Sequence, residues 1–161
     1  MSSRYAGWSS LPVPVAIALG SNLGDRDGHL NWAIERLHQP LPNLRVSSFI
    51  ETEPIGVPDP QPPYVNAAAV GETSLPPHEL VRLLLDLEKQ RGRTRTAFRA
   101  ARTLDLDLIL YGELTIDEPD LVVPHPRFRE RAFVLQPLAE IAPDWIDPVT
   151  GLSIRDLAAR V

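Results

Sequence analysis

The chain has 161 residues, of which 43% are hydrophobic and 23% charged. This length and composition suit one globular domain and exclude a wholly disordered chain. The sequence contains no cysteine, which excludes disulfides, thiolate metal sites and thiol catalysis. Its net charge of −5 argues against a general nucleic-acid binder.

The sequence has no run close to the roughly 18 apolar residues that a membrane-spanning helix needs. Residues 1–13 lack the apolar core of a signal peptide, so we expect a short flexible leader followed by a single domain over 14–161. These features predict a cytoplasmic protein. No additional apolar helix face is visible, which favours a monomer.

Apolar patterning predicts the elements of the first half of the chain. They are, in chain order, a strand over 13–19, a helix from Asp25 to Pro40, a strand over 45–53, a proline-rich loop over 54–63 and a strand over 64–73. The helix prediction rests on Leu30, Ile34 and Leu37, whose spacing is typical of an amphipathic helix. The strand predictions rest on short runs rich in apolar and β-branched residues.

The second half begins with a leucine-rich helical pattern. The predicted elements are a helix from Pro76 to Gly92, an arginine-rich loop over 93–103, a strand over 104–110, a short return strand over 113–116, and helices over 132–141 and 154–160. Pro137 is expected to kink or divide the first of these last two helices. Because no regular βαβ rhythm appears, the pattern favours an α+β fold with a mostly antiparallel sheet flanked by helices.

Asp105 and Asp107 form the strongest local signal. Residues i and i+2 of a strand point to one face, about 6.5–7 Å apart, so these carboxylates are expected to lie side by side, opposite the leucines. Adjacent carboxylates repel unless a cation lies between them, and hard oxygen ligands suit Mg²⁺. A solvated strand face is the alternative, although aspartate is a poor strand former.

Five arginines lie between residues 91 and 102, directly before the aspartate pair. Arginine binds phosphate through two parallel hydrogen bonds, and cations beside a carboxylate–Mg²⁺ site suit phosphoryl transfer. A solvated loop and a nucleic-acid patch are the alternatives. The position of the arginines beside the aspartates favours nucleotide phosphate.

Two other segments are weaker signals. The glycine-containing segment 20–24 follows a predicted strand and precedes a helix, but it matches no phosphate-binding glycine fingerprint. His125 lies between Pro124 and Pro126, which suggests that its direction is fixed, although most lone histidines have no role.

Seven short segments stand in a recognisable order and spacing. They are ALGSNLG at 18–24, TEPIG at 52–56, YVNA at 64–67, LE at 87–88 through GR at 92–93, RTLDLD at 102–107, VPH at 123–125 and RAFVL at 131–135. Together they resemble the 6-hydroxymethyl-7,8-dihydropterin pyrophosphokinase family of folate biosynthesis, over nearly the whole chain. The resemblance implies a single antiparallel sheet flanked by helices in a ferredoxin-like arrangement.

The resemblance also implies a reaction. ATP would donate a pyrophosphoryl group to the hydroxymethyl group of the pterin, giving the pterin diphosphate and AMP, with two Mg²⁺ ions bridging the phosphates. The partners would be these small molecules, without nucleic acid or membrane.

Site roles follow from the resemblance residue by residue. The catalytic residues would be Arg93, Arg102, Asp105 and Asp107, with both aspartates as metal ligands. The ATP side would comprise Glu88, Arg93, Arg95, Arg102, Leu108, His125 and Arg131. The pterin side would comprise Thr52, Glu53, Ile55, Tyr64, Asn66, Asp105 and Phe133. Without the resemblance, core packing explains Tyr64 and Phe133, and a solvated helix end explains Glu88.

Residues 98–102 depart from the family pattern. The stretch is one residue shorter than is common there. The aromatic residue and the proline that the family commonly has just before this arginine are not in place, and Phe98 could substitute for the aromatic residue only from a shifted position. The main alternative to an active enzyme is therefore a non-catalytic relative that binds ATP or a pterin. A nucleic-acid module that uses the arginines of 91–102 is a further alternative.

Overall fold

The computed structural model describes residues 12–53, 62–92 and 103–161. The strands are β1 Val13–Ser21, β2 Arg45–Val46, β3 Ile50–Thr52, β4 Tyr64–Thr73, β5 Asp105–Tyr111, β6 Ile116–Glu118 and β7 Leu121–Val123. The helices are α1 Arg26–Leu37, α2 Pro77–Gln90, α3 Ala132–Ile141 and α4 Ile154–Ala158, with a single 3-10 turn at Phe128–Glu130. The predicted leader up to residue 11, and the predicted loops at 54–61 and 93–102, lie outside the described residues.

The main sheet is antiparallel throughout. Its strand order is β2–β4–β1–β5, and β3 also pairs with β4. The hairpin β6–β7 forms a separate two-stranded sheet. This arrangement confirms the predicted α+β class.

Helices cover both faces of the main sheet, because alternate residues of its strands are apolar on each side. One face packs against α1 and α2, and its core includes Ile17, Leu19, Leu30, Leu84 and Leu106. The opposite face packs against the 3-10 turn, α3 and α4, and its core includes Ala16, Ala68, Phe128, Leu135 and Leu157. No helix among the described residues is long and apolar enough to cross a membrane.

The leucine alternation in β5 is interrupted by a bulge. The register with β1 shifts between Ala16, which pairs with Leu110, and Ile17, which pairs with Leu108. Leu108 therefore belongs to the core under α1 and α2, whereas Leu110 belongs to the core on the opposite face. The prediction of a single leucine face over the whole strand is wrong at its last residue, because one extra residue reverses the side-chain direction.

The strand predicted over 45–53 is divided into β2 and β3. Ser47 causes the break, because its own side chain replaces a strand contact: its Oγ accepts from Ala68 N at 2.8 Å, while its N donates to Ala68 O at 2.9 Å. The next residue leaves the sheet, and Ser48 Oγ donates to the Glu140 carboxylate of α3 at 2.8 Å. Local side-chain bonds of this kind compete with regular strand pairing.

One further prediction is wrong. The return strand lies at β6, starting at Ile116, rather than over 113–116, and it pairs with β7, which periodicity did not predict. Of the two expected effects of Pro137, division of the helix does not occur, because Pro137 lies inside the continuous helix α3. The 3-10 turn before α3 was also not predicted, since three residues are too few to show a helical period.

Candidate functional site

Residues of three neighbouring strands form one row near one end of the main sheet. Gly20 of β1 pairs with Asn66 of β4 on one side and with Asp105 of β5 on the other. Directly opposed residues of antiparallel strands point to the same face, so the Asn66 and Asp105 side chains share the face that α3 covers. Neighbouring strands lie about 4.8 Å apart, which places the two backbones roughly 10 Å from each other across Gly20.

The aspartate pair lies on the same face. Asp107 pairs with Ala18, two residues along the strand from Asp105, and both aspartates are partly exposed. Leu104, Leu106 and Leu108 anchor the opposite side of the strand in the core, as predicted. Two carboxylates held side by side are hard oxygen donors, so the donor chemistry fits Mg²⁺.

Gly20 keeps the space between Asn66 and Asp105 open. A Cβ atom at this position would lie 3.2 Å from Asn66 Oδ1 and 3.6 Å from Tyr64 Cδ1. An added methyl group would therefore crowd the Asn66 side chain and would be in ordinary contact with the Tyr64 ring. The sequence predicts Gly20 only as part of a strand–helix turn. In the fold it also forms the base of the space between the Asn66 and Asp105 side chains, which we call the gap.

Asn66 is held in a fixed orientation. It is only 5% exposed, and its Nδ2 donates to Thr52 Oγ1 at 2.6 Å. Thr52 pairs in turn with Tyr64, so three of the predicted pterin-side residues lie together. Glu53 is exposed at the end of this group, and Ile55 lies outside the described residues.

Arg26, the first residue of α1, contacts the residues before β4 and a residue of β3, which sequence patterns did not predict. Its Nη1 donates to Pro63 O at 2.7 Å and to Glu51 Oε1 at 2.9 Å. Buried Asn22 also donates through Nδ2 to Pro62 O, at 3.4 Å. These contacts hold both β3 and the residues that lead into β4 against the turn after β1.

His125 approaches β5 from a different segment of the chain. Its backbone N donates to the carbonyl of Ile109 at 3.0 Å, and the peptide bond between Val123 and Pro124 is cis. Burial, followed by the positive charges of Arg131 and Arg127, lowers the pKa of His125 to about 4, against the opposing effect of Asp105. The imidazole is therefore neutral at pH 7.

The hydrogen-bond partner of His125 identifies its tautomer. Its Nδ1 lies 3.2 Å from the backbone N of Arg127, which can only donate. Nδ1 must therefore be the accepting nitrogen, and Nε2 carries the single proton of the neutral ring. This leaves one neutral N–H donor on a side chain close enough to Asp105 and Arg131 to feel their charges.

The lowered pKa of His125 predicts a loss of stability in acid. The unfolded chain, with a pKa near 6.5, binds this proton more readily than the folded chain, with a pKa of about 4. The contribution of His125 to the free energy of unfolding should therefore decrease as the pH is lowered from 6.5 to 4. His125→Gln should lose less stability than the wild type across that interval, as measured by urea unfolding at several pH values.

The exposed His38 provides the control for this prediction. His38→Gln should follow the wild-type pH dependence, because that side chain lies at the exposed end of α1. Equal pH dependence of the His125→Gln variant and the wild type would contradict a neutral His125 in the folded protein.

Arg131 and Phe133 lie at the start of α3. The Arg131 guanidinium carbon is 5.6 Å from the centre of the Phe133 ring, which is within the range of a cation–π contact. Phe133 is partly buried and packs against the core on the α3 face. The structure therefore brings His125, Arg131 and Phe133 to the face that carries the aspartates.

Glu88 is buried rather than solvated. It is 2% exposed, and its Oε2 accepts from the backbone N of Leu106 at 2.7 Å. Leu106 lies between the two aspartates, so this contact fixes the strand that carries them. The side chain of Leu108 is in the core, and its predicted contact with ATP can involve only its backbone. Arg93, Arg95 and Arg102 lie outside the described residues.

The assembled side chains suit two kinds of ligand. The gap between Asn66 and Asp105 has an oriented amide on one wall and the Tyr64 ring nearby, which suits a flat polar ring. The aspartate pair, His125 and Arg131 present carboxylates, a neutral N–H donor and a cation, which suit a metal-bound phosphate chain. The two regions meet at Asp105.

Comparison with known proteins identifies the family. A family model described as 7,8-dihydro-6-hydroxymethylpterin-pyrophosphokinase matches residues 16–143. The 2-amino-4-hydroxy-6-hydroxymethyldihydropteridine pyrophosphokinase of Bacillus subtilis is 47% identical over 127 residues, which cover 78% of this chain and 75% of that protein. The protein of the same name from Synechocystis is 42% identical over 147 residues, which cover 90% of this chain and 74% of that protein.

Solved structures show the same fold. The wild-type HPPK-DHPS of Plasmodium falciparum superposes on 92% of this chain with a TM-score of 0.72 and 14% identity. This chain spans only 44% of that solved chain, so the likeness concerns the fold alone. The match to the family model and the identity to the bacterial proteins carry the assignment. The chain belongs to the 7,8-dihydro-6-hydroxymethylpterin-pyrophosphokinase family.

Proposed function

We propose that this chain transfers the pyrophosphoryl group of ATP to 6-hydroxymethyl-7,8-dihydropterin in the site around Asp105, Gly20 and Asn66. Pyrophosphate transfer to this pterin in folate biosynthesis is the activity for which the family and its relatives are named. The hydroxymethyl oxygen forms a bond to the β-phosphorus, the bond from that phosphorus to the α-phosphate oxygen breaks, and AMP leaves.

The row of Asn66, Gly20 and Asp105 is the observation that carries this proposal. The gap above Gly20 separates a fixed amide from a carboxylate. A pterin ring lying in this gap would meet Asn66 at one edge, with its hydroxymethyl group directed towards Asp105. Such placement would bring the attacking oxygen to the phosphates without covalent participation of the protein.

Asp105 and Asp107 would hold Mg²⁺, and we propose two ions as in the family resemblance. Mg²⁺ bound there would neutralise charge on the phosphate oxygens and orient them for displacement. The contribution of the protein is to fix the donors. Pairing of β5 with β1, together with the Glu88 contact to Leu106, holds the two carboxylates on one face.

His125 and Arg131 are proposed to contact the phosphates of ATP. A cation and a neutral N–H donor on one short segment can bind different oxygens of the same chain. His125 contributes its Nε2 proton as a hydrogen-bond donor, because its Nδ1 is occupied by the Arg127 N–H. Phe133, which packs beside Arg131, would border the pterin side.

A product assay tests this function directly. Purified protein is mixed with ATP, Mg²⁺ and 6-hydroxymethyl-7,8-dihydropterin, and the nucleotides are separated. Pterin-dependent AMP without ADP is the expected result. ADP as the product would contradict pyrophosphoryl transfer, and binding of ATP without any product would favour the non-catalytic relative.

Gly20→Ala should weaken pterin binding and spare ATP binding. The added methyl group would stand 3.2 Å from Asn66 Oδ1 and would narrow the gap from its floor. Overpacking of this kind costs about 1–3 kcal/mol, so the KM for the pterin should rise by roughly tenfold or more. Steady-state kinetics with each substrate varied in turn measures the effect.

Gly71→Ala is the matched control for this variant. Gly71 lies in β4, which pairs with the strand of Gly20 in the same sheet. A Cβ at Gly71 would stand 3.1 Å from Leu41 Cβ, away from the gap. This change should lower stability without altering the KM for the pterin. Equal KM values in the Gly20→Ala variant and the wild type would show that the ring does not lie above Gly20.

The oligomeric state and the cellular location of the protein are separate parts of the proposal. We propose a monomer that works in the cytoplasm on small-molecule substrates. Some relatives carry a similar segment within a longer chain: the part of the fol1 protein of Pneumocystis carinii that matches this chain is 20% of that protein. Size-exclusion chromatography with light scattering tests the monomer.

A further inference from the structure

Arg129 and Asp147 form a buried ion pair outside the proposed substrate site. Arg129 Nε donates to Asp147 Oδ2 at 2.5 Å, and Nη2 donates to Oδ1 at 2.9 Å. The same carboxylate accepts from Thr150 Oγ1 at 2.7 Å and from Val149 N at 3.0 Å. The Asp147 side chain is completely buried, so four hydrogen bonds converge on a carboxylate without access to solvent.

The pair is fully charged. Burial by itself would raise the pKa of Asp147, but the hydrogen bonds from Arg129, Thr150 and Val149 outweigh burial and lower it. The hydrogen bond to Asp147 raises the pKa of Arg129. A bidentate pair of this kind fixes both the distance and the plane of the guanidinium.

Arg129 lies between two residues of the proposed ATP site. The 3-10 turn that contains it is closed by backbone bonds from Phe128 N to His125 O at 3.4 Å and from Arg131 N to Phe128 O at 3.1 Å. The Arg131 carbonyl accepts from Val134 N at the start of α3. His125, Arg129 and Arg131 therefore belong to one short hydrogen-bonded segment.

Asp147 belongs to the loop between α3 and α4, which is closed by several backbone hydrogen bonds. Its backbone N donates to Leu152 O at 2.9 Å, and its carbonyl accepts from Gly151 N at 2.8 Å. Ile154 N donates to Trp145 O at 2.8 Å, which closes the loop at its base. These bonds fix the backbone from which Asp147 holds the Arg129 side chain.

The segment 125–131 is attached to the rest of the fold at three points. Its start is held by the hydrogen bond from His125 N to Ile109 O at 3.0 Å, and its middle by Phe128, which is completely buried. The ion pair adds a side-chain attachment at Arg129, two residues before Arg131. This third contact restricts rotation of the part of the segment that leads into Arg131.

We propose that Arg129 and Asp147 are positioning residues, which hold His125 and Arg131 in the joint orientation that binds the phosphates of ATP. The inference rests on the proposed function for the roles of His125 and Arg131. It assigns a part in ATP recognition to two residues that need not touch ATP.

A graded series of variants tests this role. Thr150→Val removes one hydrogen bond from the Asp147 carboxylate, Asp147→Asn removes its charge, and Arg129→Lys keeps the charge but loses the two-pronged contact. The KM for ATP should rise in this order, to about tenfold for Arg129→Lys, because small displacements of binding groups are costly. The KM for the pterin should stay unchanged.

Arg155→Ala is the matched control. Arg155 pairs with Asp144 at 2.8 Å at the surface of the same region, and both side chains are largely exposed. Its kinetics should equal those of the wild type. Loss of thermal stability in the series with an unchanged KM for ATP would overturn the proposal, and so would an equal rise of both KM values.

Backbone amide exchange provides a readout that needs no substrate. The amides of Arg127 and Arg131 should exchange faster in Asp147→Asn and Arg129→Lys, but not in Arg155→Ala. Unchanged exchange in the two variants would overturn the positioning role even if the wild type is active. A wild type that forms no AMP would instead contradict the proposed function, so the two failures are distinguishable. Thr150→Val keeps the test valid if a charge variant does not fold.

Discussion

Replacing Asp107 with alanine is expected to lower pterin-dependent AMP formation by at least about a thousandfold. Loss of one carboxylate from a two-carboxylate metal site removes several kcal/mol of charge stabilisation, and about 4 kcal/mol corresponds to three orders of magnitude in rate. Because Asp107 is partly exposed on an edge strand, the fold should survive the change. Nucleotide separation after incubation with ATP, Mg²⁺ and the pterin measures the effect.

Asp117 provides the matched control for this prediction. It is an exposed aspartate on β6, also in a strand, but in the separate hairpin. Asp117→Ala should keep wild-type turnover, while Asp107→Asn, which preserves side-chain volume, should be nearly as inactive as Asp107→Ala. Normal turnover of Asp107→Ala in a folded protein would refute the role of the aspartate pair.

The aspartate pair could be predicted from the sequence because its signal is local. Alternation over a few residues places Asp105 and Asp107 on one face, and the leucines at 104, 106 and 108 show that the opposite face is buried. The same reasoning fails at Leu110, because the bulge depends on pairing with Ala16 and Ile17. That pairing joins residues far apart in the chain, and the periodicity of β5 contains no trace of it.

The gap above Gly20 could not be derived from any single segment. Asn66 and Asp105 meet across Gly20 only because of the register of β1 with two neighbouring strands. Strand alternation indicated Asp105, and the resemblance to a family supplied Asn66, but the distance between the two residues is set by the sheet. The pairing of Arg129 with Asp147 is likewise set by the packing of α3 and α4, and the sequence offers no pattern for it.

Environment, rather than residue type, also decides the state of His125 and Glu88. A histidine between prolines predicts a fixed direction, but its neutral form depends on burial and on Arg131 and Arg127. Glu88 at a predicted helix end could be solvated on pattern alone. In the fold it is one of the buried charged residues, because α2 packs beside the edge strand β5.

Glu88→Ala is expected to lose stability and activity together. The change would remove the acceptor of the Leu106 N–H, a buried contact of 2.7 Å, and leave that donor unsatisfied between the two aspartates. Hydrogen bonds to charged groups contribute about 1.5–3 kcal/mol, so the free energy of unfolding should fall by about that amount. A loosened β5 should also lower AMP formation by roughly ten- to a hundredfold, since misplaced binding groups are costly.

Glu88→Gln separates this structural role from direct contact with ATP. The amide oxygen can still accept from Leu106 N, so most of the stability should return. If Glu88 acts by fixing β5, activity should return with stability, and the KM for ATP should stay close to that of the wild type. If Glu88 instead binds ATP through its charge, Glu88→Gln should be stable but should show a raised KM for ATP. Asp86→Ala, at an exposed position of the same helix, should match the wild type in both urea unfolding and kinetics.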